Sequence, residues 1–195
     1  EPLRRLGFSP RLHDTRLELP GSAREQARLA LTGAGVRSDE PFVALAPGAR
    51  WPSKCWPPER FVLLAERLAS VGRRVVVVGG EAERGLGGMV ALADPSRCSN
   101  LCGAVELLGT AAVLERAALL VTNDSGLLHV AEAVGTPVVA LFGPTSPQFG
   151  YAPYRPASRL LREPPPCSPC SKNGSRPCLR PTHECMEAIG VEEVL

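Results

Sequence analysis

A short polar segment, residues 123–129, contains the side chains with the clearest chemical potential in this sequence. Asn123-Asp124-Ser125-Gly126 follows an apolar run that predicts a strand and leads directly into a predicted helix. The first turn of a helix presents free N–H groups at the positive end of the helix dipole, which suits a phosphate. Gly126 lets a ligand approach the backbone closely, and His129 lies on the same face as Ser125. The segment predicts an anion site, although Asp124 or Ser125 could instead be a helix cap and His129 a packing residue.

Two further loops follow predicted strands and carry groups that suit a nucleotide. The loop 47–54 contains Lys54, one of the chain's two lysines, whose compact charge can neutralise a diphosphate. Arg50, beside Ala49, is a second candidate in the same loop. Glu81 follows a Gly-Gly turn and could accept hydrogen bonds from ribose or sugar hydroxyls. The alternative is that these charged side chains are ordinary solvated surface residues.

Four of the seven cysteines lie in the Pro- and Ser-rich segment 164–186: Cys167, Cys170, Cys178 and Cys185. Tetrahedral thiolate binding of zinc would order a loop that can bury little apolar surface. The odd number of cysteines and the lack of a secretory signal argue against a disulfide framework. The segment predicts a structural zinc site, with His183 as an alternative fourth ligand, or else a reduced, metal-free loop.

The elements that must position these loops alternate between strand and helix patterns. The predicted strands are 42–46, 75–78, 119–122 and 138–142, with a short one at 158–161, and the predicted helices are 23–31, capped by Ser22, 58–72, 82–93, 107–118 and 127–134. This alternation predicts a doubly wound α/β fold with a parallel sheet. Because ligands of such sheets bind beyond the carboxyl ends of the strands, the three loops are expected to meet there.

Composition and length limit the classes of function. With 44% apolar residues the chain can bury a core, and its net charge of +2 gives no reason to expect nucleic acid as a partner. No apolar run approaches the roughly 18–20 residues that span a bilayer, so no transmembrane segment is expected. The phosphate loops of dehydrogenases and P-loop enzymes are missing from the sequence.

The start of the chain suggests that it is part of a longer protein. Glu1 is not an initiator Met, and no signal-peptide apolar region follows it. Residues 1–40 are expected to be a linker or the tail of a missing N-terminal domain, with one helix. Residues 41–195 are expected to form the ligand-binding domain, with the Cys-rich loop 164–186.

Several segments, in order, resemble glycosyltransferase family nine, the ADP-heptose:lipopolysaccharide heptosyltransferases, and the second enzyme type in particular. They are Ala46-Pro47-Gly48-Ala49 with Lys54 and Trp56-Pro57, Gly79-Gly80-Glu81, Leu101-Cys102-Gly103, Asn123-Asp124-Ser125-Gly126 with His129, and the segment from Gly135-Thr136-Pro137 to Phe142-Gly143-Pro144-Thr145. The resemblance implies the Rossmann-like C-terminal half of a two-domain GT-B enzyme, which binds the nucleotide sugar.

The resemblance also implies site roles. Lys54 would contact the diphosphate, with Asp124, Ser125, Gly126 and His129 around phosphate and heptose; Glu81 would bind a hydroxyl, and Val105 would line the adenine pocket. Relatives often carry a hydroxyl residue several positions before the Lys, where this chain has Ala49 and Arg50. Backbone N–H groups or Arg50 would then replace that contact.

The implied reaction is an inverting transfer of heptose from ADP-heptose to the lipopolysaccharide inner core, with no cofactor required. The catalytic base and the lipid-linked acceptor would belong to the missing domain, so this chain is expected to bind donor without catalysing transfer. A cytoplasmic location is expected, with peripheral contact at the inner face of the inner membrane. Two alternatives stay open: a GT-B domain for another nucleotide sugar, and a non-catalytic nucleotide-binding module.

Overall fold

The protein forms a single six-stranded sheet in which every strand is parallel to its neighbours. The computed structural model describes residues 2–7, 15–180 and 182–195. The strand order is β3-β2-β1-β4-β5-β6. The strands are β1 (Phe42–Ala46), β2 (Arg74–Val77), β3 (Cys98–Asn100), β4 (Leu119–Asn123), β5 (Val138–Leu141) and β6 (Arg159–Leu161). This order and direction confirm the predicted doubly wound α/β sheet.

The central strands are buried because helices cover both faces of the sheet. Ala44 of β1 lies opposite Val76 of β2 and Leu120 of β4, and Leu120 lies opposite Val138 of β5. These four side chains are fully buried. Strands buried on both faces read as continuous apolar runs, which is why β1, β2, β4 and β5 could be predicted from the sequence.

The described helices of more than one turn are α2 (Gly21–Gly33), α3 (Pro58–Ser70), α4 (Arg84–Ala91), α5 (Leu107–Arg116) and α6 (Gly126–Val134); the four-residue helices are α1 (Pro2–Arg5), α7 (Glu184–Glu187) and α8 (Val191–Val194). Helices α2, α5 and α6 contribute to the core on one face of the sheet, and α3, α4, α7 and α8 to the core on the other. Helices in each of these two groups bury apolar side chains at helical spacing. In α2 these side chains are Ala23, Ala27 and Leu31.

Two details of the prediction were wrong. Ser22 does not cap α2: the helix begins at Gly21, and the carbonyl of Pro20 already accepts the N–H groups of Ala23 (3.1 Å) and Arg24 (3.3 Å). The sheet also has a strand that the sequence pattern did not indicate, β3, which lies at the edge beside β2. Its residues are Cys-Ser-Asn, too few and too polar to give a strand pattern.

Residues 15–40 pack closely against the rest of the domain. Helix α2 packs on α5 and places Ala23, Ala27 and Leu31 in the core, and the N–H of Leu17 bonds to the carbonyl of Ala133 (2.9 Å). Part of the predicted linker, residues 8–14, lies outside the described residues. The boundary at residue 40 stays a prediction. None of the described helices combines the length and the apolar character that a bilayer crossing requires.

Candidate functional site

Three loops meet at the carboxyl edge of the sheet because β2, β1 and β4 are neighbours. The last residue of β4, Asn123, connects two of them. Its side-chain oxygen accepts the N–H of Trp56 (2.9 Å), and its NH₂ group donates to the carbonyl of Pro47 (2.8 Å). Asn123 is fully buried. These bonds fix the loop after β1 against the end of β4, as the order of strands predicted.

The turn between β4 and α6 leaves the start of the helix free of side-chain caps. Ser125 occupies the N-cap position in an extended conformation, but its hydroxyl accepts no bond from the first turn. It lies instead 3.1 Å from the hydroxyl of Thr122. A Cβ added to Gly126 would meet no atom within 4 Å, so the space beside the turn is open. The first N–H groups of α6 are therefore available to a ligand.

Lys54 reaches this turn from the other side. Its ammonium lies 2.8 Å from Oδ2 of Asp124 and 3.3 Å from the backbone carbonyl of the same residue. The hydroxyl of Thr145 donates to the same Oδ2 (2.7 Å). The Lys54 side chain is 12% exposed and that of Asp124 5% exposed. The predicted diphosphate-binding lysine thus lies at the N-terminus of α6, paired with a carboxylate.

These groups line one polar cavity of about 280 Å³. Its walls are formed by Arg50, Trp51, Lys54, Asp124, Ser125, Gly126, His129, Tyr151 and Asn173. The guanidinium of Arg50 lies 5.5 Å from the centre of the Trp51 ring. The structure therefore brings five of the predicted donor-binding residues and Arg50 to one cleft.

An apolar cavity of about 400 Å³ adjoins the polar cavity. The two share Arg50, Ser125 and Gly126. Apolar side chains on its walls are Val78, Val105, Leu107, Leu127 and Val130, and Ala49 also lines it. Small-molecule sites span roughly 300–1,000 Å³ and combine apolar walls with a few polar groups. The apolar cavity suits a flat heterocycle, and Val105, which was predicted to line an adenine pocket, lies on its wall.

The predicted hydroxyl-binding Glu81 and its neighbour Glu83 take different positions. Glu81 is exposed, pairs with Arg84 (2.6 Å) and lines an open groove of about 1030 Å³, which shares Gly80, Val105 and Leu107 with the apolar cavity. Glu83 lines the apolar cavity, and its carboxylate accepts the N–H of Gly80 (2.6 Å). Of these two carboxylates only Glu83 lines the apolar cavity, and the hydroxyl-binding role of Glu81 stays a prediction. Both lie on one turn, so the sequence pattern could not separate them.

Sequence reasoning missed several residues that line the polar cavity or contact the side chains that line it. Thr145 follows β5, the next strand along the sheet, and its position after Gly143-Pro144 was a signal that went unused. Asn173 and Gly174 come from the Cys-rich loop. A Cβ on Gly174 would lie 2.7 Å from Cε of Lys54, so the loop packs directly on that side chain. Their local sequence carries no signal of this contact.

The Cys-rich loop does not arrange its thiols as the predicted zinc site. The four cysteines line one small cavity, together with His183. Within the described ranges, however, no three side chains of His, Cys, Asp or Glu come together in a way that could hold a metal ion. Two of the sulfurs contact backbone carbonyls: Cys170 faces that of Pro144, and Cys178 faces that of Thr182. No preformed metal site is therefore present among the described residues.

Cysteines near the strand-end loops are not poised as nucleophiles. Burial, together with the smaller effect of the Glu83 charge, raises the pKa of Cys102 to about 12. Burial also raises the pKa of Cys55, which lies directly after Lys54. Because the thiolate is the reactive form, both thiols are inert at neutral pH. The chemistry of the site therefore rests on its cationic and N–H groups.

Comparison with known proteins identifies the family. Residues 9–178 match the family model described as glycosyltransferase family 9 (heptosyltransferase). The lipopolysaccharide heptosyltransferase 2 of Salmonella typhimurium is 36% identical over 132 residues, which are 65% of this chain and 38% of the Salmonella protein.

Solved structures give the same result. The E. coli ADP-heptose lps heptosyltransferase II superposes with a TM-score of 0.75 at 26% identity, over 97% of this chain and 54% of that one. A glycosyl transferase family 9 protein from Veillonella parvula superposes with a TM-score of 0.82 at 27% identity, over 98% of this chain and 55% of that one. The chain thus spans about half of each solved relative. Because the family match covers most of its residues, the chain belongs to glycosyltransferase family 9, the heptosyltransferases.

Proposed function

We propose that this chain is the donor-binding part of a heptosyltransferase and that it binds ADP-heptose across the two adjoining cavities. The adenine occupies the apolar cavity beside Val105, and the diphosphate lies between Lys54 and the N-terminus of α6. The E. coli relative is by name an ADP-heptose enzyme, and it aligns with 97% of this chain. The donor-binding unit comprises residues 41–195, with α2 packed on it.

One observation supports this proposal most strongly. Lys54 and the uncapped start of α6 come from two different strand-end loops and line the same cavity. A diphosphate needs several positive groups at close range, and a helix N-terminus with a lysine supplies them without a metal. Arg50 and His129, both exposed at the rim, are placed to add to this field.

The arrangement suits stabilisation of a leaving group. In an inverting transfer, a hydroxyl oxygen of the lipopolysaccharide acceptor bonds to the anomeric carbon while the bond from that carbon to the β-phosphate oxygen breaks. The electron pair leaves with ADP, and Lys54 and the helix N–H groups stabilise the charge that develops on it. The base that takes the acceptor proton is proposed to lie in a domain outside this chain, by the family resemblance.

Calorimetry with nucleoside diphosphates tests this proposal. We expect one ADP site per chain and weaker binding of UDP and GDP. Lys54→Met should weaken ADP binding roughly 10–100-fold, since a charge-assisted hydrogen bond contributes about 1.5–3 kcal/mol. Lys172→Met, a change at the chain's other, exposed lysine, is the matched control and should leave binding unchanged.

Each alternative outcome has a clear meaning. Tighter binding of UDP or GDP than of ADP would indicate a GT-B domain for another nucleotide sugar. A folded chain that binds none of the three diphosphates would contradict the donor-site proposal and favour a non-catalytic module. Measurable heptose transfer by the chain alone would show that the base lies within it.

A further inference from the structure

We propose that Asp124 and Thr145 are positioning residues that aim Lys54 at the donor, and that Asp124 does not itself bind the diphosphate. This inference rests on the donor site proposed above. The three side chains form a line in which the Thr145 hydroxyl donates to Oδ2 of Asp124 (2.7 Å) and the same oxygen receives the Lys54 ammonium (2.8 Å). Thr145 is fully buried and Asp124 nearly so.

The charges of these groups argue against Asp124 as a phosphate ligand. A carboxylate facing a diphosphate is repelled, and the repulsion is large where little water screens it. The negative charge of Asp124 is instead compensated by the Lys54 ammonium. The Thr145 hydroxyl also donates a hydrogen bond to this carboxylate. Lysine has three N–H donors, of which the carboxylate and the backbone carbonyl of Asp124 take two. One N–H donor is left for a ligand in the polar cavity, which Lys54 lines.

The Cys-rich loop fixes the other end of the lysine. Gly174 lies against the aliphatic stem of Lys54, so that an added Cβ would come within 3.0 Å of three of its carbons. The Ser53 hydroxyl donates to the Gly174 carbonyl (2.6 Å), and the Gly174 N–H donates to the Ser171 hydroxyl (2.9 Å). Both serines are buried.

The consequence is a lysine that is ordered before the donor arrives. A free lysine has many rotamers, and losing them on binding weakens affinity. Contacts at the ammonium from Asp124 and at the stem from Gly174 remove that freedom in advance. Asp124 and Thr145 therefore raise donor affinity through Lys54, and the loop after β5 becomes part of the donor site without touching the donor.

Affinities for ADP and for adenosine separate this role from simple loss of structure. Thr145→Val removes the hydroxyl at nearly constant volume and should weaken ADP binding about three- to tenfold. Adenosine, which has no diphosphate, should bind Thr145→Val as it binds the unmodified chain. Thr145→Ser keeps a hydroxyl that can donate the hydrogen bond to Asp124, and this variant should bind ADP as tightly as the unmodified chain. Equal ADP affinity in Thr145→Val and the unmodified chain would overturn the proposal.

A double-mutant cycle tests the role of Asp124. If Asp124 acts through Lys54, the effect of Asp124→Asn on ADP affinity depends on whether the lysine is present. In a Lys54→Met background, Asp124→Asn should leave ADP binding unchanged or strengthen it, because only repulsion is lost. The same loss of affinity from Asp124→Asn in both backgrounds would show direct donor contact and contradict the proposal.

Lysine NMR tests the positioning without any nucleotide. Protein labelled with ¹³C-lysine gives signals from Lys54 and Lys172 alone, since the chain has two lysines. Thr145→Val and Asp124→Asn should shift and sharpen the Lys54 Cε–Hε signals and leave those of exposed Lys172 in place. Unmoved Lys54 signals in both variants would refute the positioning role even if ADP binds. If the chain binds no ADP, the donor site fails while this measurement still decides the positioning.

Discussion

At the scale of single residues, Gly174 shows how a site can depend on the absence of a side chain. Its φ of +88° lies in the left-handed region, and its Cα faces the stem of Lys54. Glycine meets both demands, because it has no Cβ to strain the backbone or to displace the lysine. The Cys-rich loop therefore contributes to the donor site through its backbone.

Gly174→Ala should reduce the free energy of ADP binding by more than it reduces the free energy of unfolding. The backbone strain costs about 1–2 kcal/mol, and the new methyl group must also push Lys54 from its position. Gly150→Ala is the matched control, because Gly150 has a similar φ of +86° but no atom within 4 Å of an added Cβ. Calorimetry and urea unfolding on both variants check this. Equal ADP affinity in the two variants would contradict the contact.

A second residue-level prediction concerns thiol reactivity. At pH 8 a thiol with a pKa of about 12 is ionised in roughly one molecule in 10,000, so Cys102 should resist iodoacetamide in the folded chain. Exposed Cys167 should react readily under the same conditions. Mass spectrometry of the labelled protein measures both, and labelling in urea is the control for intrinsic reactivity. Labelling of Cys102 as fast as Cys167 without denaturant would be the contrary result.

The sequence allowed some of these residues to be predicted and not others, for a physical reason. Three of them follow a strand or begin a helix: Lys54, Gly126 and His129. Such positions converge at one edge of a parallel sheet, and this does not depend on the conformation of the loops. Gly174 lies in an irregular segment 120 residues from Lys54. Its position depends on tertiary contacts such as the bond from Ser53, and no local pattern encodes them.

At the scale of elements, helix α6 is fixed at its far end by a buried carboxyl group. Glu132 is fully buried, and its side chain accepts the N–H groups of Tyr154 and Arg155 and the hydroxyl of Ser158. The Ser158 hydroxyl in turn accepts the N–H of Val138 at the start of β5. Glu132 thus ties the helix that presents the phosphate site to the segment leading into β6.

Glu132→Ala should lower the free energy of unfolding by about 3–5 kcal/mol, because it leaves three donors, one buried and two part-buried, without an acceptor. Glu66→Ala on α3 is the control: Glu66 is exposed, and its substitution should change stability by less than about 0.5 kcal/mol. Urea unfolding followed by circular dichroism measures both. A Glu132→Ala variant as stable as the control would show that the network contributes little.

The ends of a strand could be predicted from the sequence where both faces of that strand are buried. The apolar runs of β1, β4 and β5 were located to within one residue at each end because no polar alternation interrupts them. Strand β3 was missed, since its pairing with β2 depends on backbone bonds such as that from the Val75 N–H to the Arg97 carbonyl (2.9 Å). Backbone pairing of a short polar edge strand leaves no trace in the side-chain pattern.

At the scale of the whole molecule, the parallel sheet brings residues that are far apart in sequence together in one cleft. The loops after β1, β2, β4 and β5 all emerge at the same edge, and each contributes at least one residue to the two cavities. The family resemblance and the geometry therefore point to the same edge from independent observations.

A crystal structure of the chain with ADP tests the central claim most directly. We predict diphosphate oxygens within hydrogen-bonding distance of the Lys54 ammonium and of the N–H groups at Gly126, with adenine against Val105 and with Lys54 still paired to Asp124. ADP bound outside the two cavities, or a diphosphate out of reach of Lys54, would contradict the account.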